Sequence, residues 1–116
     1  MANYQVSLPE YMSYGNDFII SEKLSDNLSH KTFDGGGYIA LVRHAVSVVG
    51  SCERHGLFEE YMSCALFIYT LQWYPMHWCA TLPRKYIHSL AHLVVEIECA
   101  FNHFNYKALN KEILEL

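Results

Sequence analysis

Five residues in the last third of this 116-residue chain carry groups that ligate metals or move protons: His88, His92, Glu96, Cys99 and His103. They are spaced four, four, three and four apart, so on a helix they fall within roughly an 80° arc. Imidazole, carboxylate and thiolate are all zinc ligands. A metal- or thiol-dependent enzyme built on this stripe is therefore one alternative reading. Against it, one helix seldom supplies more than two ligands to an ion, and His44 and His55 fall on the outer face of a different predicted helix. The stripe reads first as the polar face of an amphipathic helix.

Cys79 follows His77 and Trp78, and Cys99 lies among the stripe's histidines. A thiolate nucleophile needs a nearby base, an oxyanion hole and exposure, and the sequence supplies only the thiols and the histidines. Asp34 precedes Gly35, Gly36 and Gly37, but no Gly-Lys-Ser/Thr follows, so this is a linker and not a phosphate loop. The chain also lacks Gly-x-Ser-x-Gly, His-Glu-x-x-His and Gly-x-Gly-x-x-Gly. No catalytic residue, cofactor or enzyme activity is assigned. Trp73, Tyr74, Met76, His77 and Trp78 flank Pro75, and Tyr11 and Tyr14 punctuate the leader. Tryptophan, tyrosine and methionine concentrate at interface centres, so these seven are the candidate partner-binding residues.

The elements that position these groups read as helices. Tyr38, Leu41, Val42, Ala45, Val46, Val48, Val49 and Cys52 form the apolar side of a helix over 38–55, with Arg43, His44, Ser47, Ser51, Arg54 and His55 opposite. Gly56 ends it, with Leu57 placed to touch Cys52, and the turn implies an antiparallel hairpin. A second helix over 57–72 is apolar almost all round, which calls for a partner to help cover it and so for a homodimer. Pro75 stops that helix. A third runs over 83–104, started by Thr81 and Pro83, with a break expected at Asn102 and Asn105. Tyr106 to Glu115 makes a short last helix with Leu109, Ile113 and Leu116 on one stripe. Before the glycines, Gln5–Leu8 and Asp17–Ile20 are extended pieces too short to make a sheet alone, and Ser21–Ser29 makes a turn or two of helix with Leu24 and Leu28 inward. The expected fold is all-α: a three-to-four-helix bundle over 35–116 with an extended, partly irregular N-terminal arm over 1–34 packed on it.

Composition narrows the function. Apolar residues make up 52% and charged residues only 17%, which excludes a disordered tail and implies more apolar surface than a solitary monomer keeps. The net charge is −4 and no basic stripe exists, which argues against direct nucleic-acid binding. The longest apolar stretch, Cys64 to Leu71, is too short to span a bilayer. Met1 to Gln5 lack the basic start of a signal peptide, and the four cysteines form no Cys-x-x-Cys. A cytoplasmic protein with reduced thiols is expected. The expected function is non-enzymatic: a small acidic module that inhibits or regulates a larger protein, one with a basic face, by occupying its surface. A phage or mobile-element antagonist and an immunity protein are the types that suit, and a structural subunit of an oligomer is a third reading.

Overall fold

The computed structural model describes residues 3–33, 35 and 37–100. Its elements in chain order are β1 (Asn3–Val6), β2 (Phe18–Ser21), α1 (Glu22–Ser29), α2 (Tyr38–Arg54), α3 (Glu60–Tyr69) and α4 (Trp73–Cys79), followed by α5 over residues 90–100. The fold is mixed, not all-α: among the described residues a two-stranded antiparallel sheet accompanies five helices.

The sheet arises because the two extended pieces find each other. Val6 pairs with Phe18 and Tyr4 with Ile20, on one face, and Val6, Phe18 and Ile20 are buried on the helices. Gln5 and Ile19 occupy the opposite face, where Ile19 is 62% exposed. Alternation fixes the register, since a one-residue slip would turn all three anchors outward. The connection over 7–17 is held at both ends and in the middle. Asp17 Oδ1 accepts the Leu8 N–H at 3.0 Å. Met12 forms a parallel bridge to Ile87, with the Lys85 and Ile87 N–H groups donating to the Glu10 and Tyr11 carbonyls at 2.9 and 2.8 Å.

Ser21 leaves β2 and caps α1, its Oγ accepting the Leu24 N–H at 3.2 Å. Leu24 and Leu28 then point into the core. The α2 end forms a Schellman turn: Leu57 N–H donates to the Cys52 carbonyl at 2.8 Å, Gly56 N–H to Glu53 at 3.1 Å, and Gly56 adopts a φ of 81°. The first helical hairpin, α2 to α3, follows from that turn.

Several helix boundaries differ from expectation, among them the start of the second helix, at Glu60 and not Leu57. The second helix ends at Tyr69, short of Gln72, because Leu71 joins a parallel bridge to Phe33 and the Gln72 N–H donates to the Phe33 carbonyl at 2.8 Å. Pro75 does not stop a helix; it lies in the first turn of α4, where its missing N–H costs nothing. The third helix starts at residue 90 and not at Pro83. Lys85 takes a left-handed φ of 55°, the 85–87 backbone is engaged by the arm, and Ser89 supplies the cap by accepting the His92 N–H at 2.9 Å.

One apolar cluster joins the sheet, the arm and the helices, with Phe67, Leu24, Leu41, Val48, Ile87, Leu93 and Ile97 at its fully buried centre. All six residues from Ser63 to Ile68 of α3 are buried within the chain, while Glu60 and Tyr69 at its ends are exposed.

Candidate functional site

The helix stripe that prompted a metal reading is occupied by its own hydrogen bonds. His92 Nδ1 accepts the His88 N–H at 3.2 Å, and His92 Nε2 lies 3.3 Å from Glu96 Oε1. Both ring nitrogens are thereby committed. The His88 ring stacks on His92 at 5.6 Å, and the Tyr86 ring lies 5.3 Å from His92, its phenol raised above its ordinary value by a hydrogen bond to Glu96. Ser13 approaches His88 Nδ1 to 2.7 Å, but its hydroxyl donates to the Ile87 carbonyl at 2.9 Å, so the imidazole N–H must donate to Ser13. That polarity is the reverse of an activated serine. Cys99 is exposed on α5, and His103 lies outside the described residues. Among the described residues, no group of three or more His, Cys, Asp or Glu is arranged to hold a metal.

The other thiols are buried. Burial pushes both Cys64 and Cys79 up to about 12, and Cys52 is raised by the same cause, so these thiols stay neutral at physiological pH.

The aromatic candidates divide. Tyr11, Tyr14 and Trp78 pack against the core, and the Tyr14 hydroxyl donates to Glu60 Oε2. Met76 and His77 are exposed on α4. The side chains of Trp73 and Tyr74 lie outside the described set. Of the described members, Met76 and His77 are exposed, and Tyr11, Tyr14 and Trp78 are half-buried.

The larger apolar surface lies elsewhere. Leu41, Ala45, Val48 and Cys52 of α2 face the core, together with Ser51. Tyr38, Val42, Val46 and Val49 stand roughly 100° away on the wheel. Tyr38 is 51% and Val46 66% exposed. On α5, Leu93 and Ile97 are buried while Ala91 and Val95 turn outward, Val95 at 50% exposed. The two displaced stripes wall an open groove of about 520 Å³, with Leu90 and Val94 also lining it. Its polar lining residues, Glu60 and Ser89, are engaged: Glu60 accepts from Tyr14 and from the Leu90 N–H, and Ser89 caps α5. The groove thus offers hydrocarbon and few unspent polar groups. A second cavity of about 400 Å³ lies among β1, α1 and α3, where Tyr69 donates to the Ser7 carbonyl at 2.6 Å and ties two of its walls.

The helical wheel places His44 on the polar side of α2, and the structure brings it inward. Its ring lies 5.6 Å from both Phe33 and Phe67. Thr70 donates to the Phe67 carbonyl at 2.6 Å, so His44 Nε2–H donates to Thr70 Oγ1, also at 2.6 Å. Burial first, then the nearby Lys31 ammonium, hold the imidazole below its ordinary value. A neutral His44 therefore favours the folded state. Its contribution is complete above the unfolded value near 6.5 and is lost as pH falls below that toward the folded value. The urea midpoint of the native chain should fall between pH 7 and pH 5, and the fall should be smaller in His44→Phe, which keeps a ring between the phenylalanines. An unchanged pH dependence in that variant would contradict the assignment.

The wheel does not locate the groove, although the groove's residues carry a signal. The apolar arc of α2 is wider than one contact face requires, and Ile39 and Val46 extend it beyond the core side. Among the described residues no helix is long and apolar enough to cross a membrane. No protein-family model, curated protein or solved structure matches the chain.

Proposed function

We propose that the protein is a small non-enzymatic binding module whose α2–α5 groove receives the apolar stripe of an amphipathic helix from a larger protein. Its action is occupation: the bound surface is denied to other partners, which inhibits or regulates the larger protein. The observation that carries this reading is the displacement of two apolar stripes from the core faces of their helices, one on α2 and one on α5, onto a shared open groove. Anchors at i, i+3, i+4 and i+7 of a partner helix suit such a groove. The acid excess of the chain favours encounter with a basic-faced partner. Neutral buried thiols and a histidine pair spent on internal bonds give no comparable support to metal or thiol catalysis.

Selection from a library of amphipathic helical peptides tests the proposal. Enrichment of peptides with helically spaced apolar anchors is expected. Val46→Glu and Val95→Glu, at exposed positions that burden the fold little, should each weaken the selected peptides by about tenfold or more. Peptides that bind the variants as well as the native chain would show that the groove is not their site.

A further inference from the structure

We infer that the outer edge of β1 is a strand-addition site. An extended, uncharged peptide segment of another protein pairs there with the main chain of Gln5 and Ser7 and lies in the cavity between β1, α1 and α3. The site is separate from the α2–α5 groove and does not depend on it.

Two bonds fix which way the β1 main chain faces. The Leu8 N–H turns toward β2, to Asp17 Oδ1 at 3.0 Å, and the Ser7 carbonyl turns the other way, to the Tyr69 hydroxyl at 2.6 Å. Main-chain groups of successive residues in a strand face opposite edges. Tyr4 and Val6 therefore face β2, and Gln5 faces the same way as Ser7. Among the described residues β2 is the only strand paired with β1, and none accepts from the Gln5 or Ser7 N–H or donates to the Gln5 carbonyl. Both residues are exposed. An N–H, a carbonyl and a second N–H thus stand unspent at strand spacing. That row is the complement of another strand's main chain, which is why a peptide and not a compact small molecule is assigned.

The edge has a place for that strand beside it. Gln5 and Ser7 border the cavity of about 400 Å³, although the Gln5 side chain stands on the opposite face of the sheet from Val6, so Gln5 turns main chain to it. Val6, Leu28 and Leu66 give the cavity an apolar lining, and Ser25, Ser29 and Thr70 add hydroxyls. No Asp, Glu, Lys, Arg or His is among the described residues that line it. A neighbouring strand lies about 4.8 Å away and turns every second side chain to one face. Those side chains meet hydrocarbon and hydroxyls here, which favours aliphatic or hydroxyl-bearing residues and penalises a charge. Main-chain bonds then supply affinity, and the alternate side chains supply selectivity. Asn3–Val6 itself carries neither a charge nor a proline, two of the devices that block pairing at a sheet edge.

The test uses the full-length chain and displayed peptides of about ten residues that alternate threonine or serine with valine, isoleucine or alanine. Enrichment on the native chain is expected. Gln5→Pro removes an N–H that the β1–β2 pairing does not use, and an edge strand tolerates proline at such a position. The variant should keep the native urea midpoint and bind the selected peptides at least tenfold more weakly, while Val46→Glu should bind them as the native chain does. Amide exchange on the native chain gives a reading independent of either variant. The Gln5 and Ser7 amides should exchange at least tenfold more slowly with peptide bound, and the Tyr4 and Val6 amides should change little. The inference is overturned by a library that yields no binder, or by equal binding to Gln5→Pro at the native midpoint. It is equally overturned by binding that leaves the Gln5 and Ser7 amides unprotected, or by binding lost in Val46→Glu, which assigns the peptides to the α2–α5 groove. Protection of the two amides that rises with protein concentration in the absence of peptide also overturns it, because the edge then pairs with a second copy.

Discussion

Gly15→Ala should destabilise the protein by about 2–4 kcal/mol, read as a lowered midpoint in urea or thermal unfolding. Two costs act independently. The residue has a φ of 96°, a region that L side chains rarely enter. A Cβ built there would stand 2.5 Å from Tyr61 Cδ2 and 2.6 Å from Cγ. The ring has little room to retreat, because it packs edge-on against buried Phe18 at 6.0 Å and is itself seated on the core. Gly56→Ala separates the two costs. That glycine also has a positive φ, 81°, but nothing lies within 4 Å of its added Cβ. Only the conformational term remains there, about 1–2 kcal/mol. If both variants lose the same stability, the contact between Gly15 and Tyr61 is not a tight one.

Phe67→Ala should cost about 3–5 kcal/mol, the range for removing a fully buried aromatic ring. The side chain has no exposed surface and sits within the buried run Ser63–Ile68 of α3. Its loss also strips one of the two rings from His44. Water then reaches the imidazole, the protonated form becomes less unfavourable, and the extra instability below pH 6.5 should shrink. Denaturation of this variant at pH 7 and pH 5 therefore reads two quantities: a large loss at pH 7, and a smaller difference between the two pH values than in the native chain. A loss near 1 kcal/mol at pH 7 would mean that the neighbours collapse into the space.

The local chemistry is readable wherever one residue decides a conformation. Gly56 with Leu57 specifies the end of α2 through backbone geometry alone. Ser21 with Leu24 and Leu28 specifies α1 by a cap and a four-residue apolar spacing. The burial of residues 63–68 in α3 follows from its composition. What escapes a sequence reading depends on distant partners. Four-residue strands carry no mark of whom they pair with, and here the pairing closes an 11-residue excursion clamped by residues 85–87. A proline reads equally as the end of one helix or the first turn of the next, and Pro75 is the latter. Lys85 gives no local warning of its left-handed backbone.

The candidate site is half legible for a related reason. A wheel locates the apolar arc of α2 but not which part of that arc turns to the core. Polar Ser51 is buried and His44 is held inward by Thr70 and two phenylalanine rings, while Val46 stays outside. The aromatic residues named for partner binding show the converse. Tyr11, Tyr14 and Trp78 are half-buried and spend part of their rings on the core.

The bridge from Met12 to Ile87 also sets an order of events during synthesis. The first strand leaves the ribosome early, yet the backbone that clasps its following loop is about 75 residues away in sequence. Helices α1 to α3 can begin to gather while that clasp is still untranslated. The ribbon of β1 and β2 must then wait, unclamped, until residues 85–87 have emerged, and its closure becomes the slower step that long sequence separation imposes.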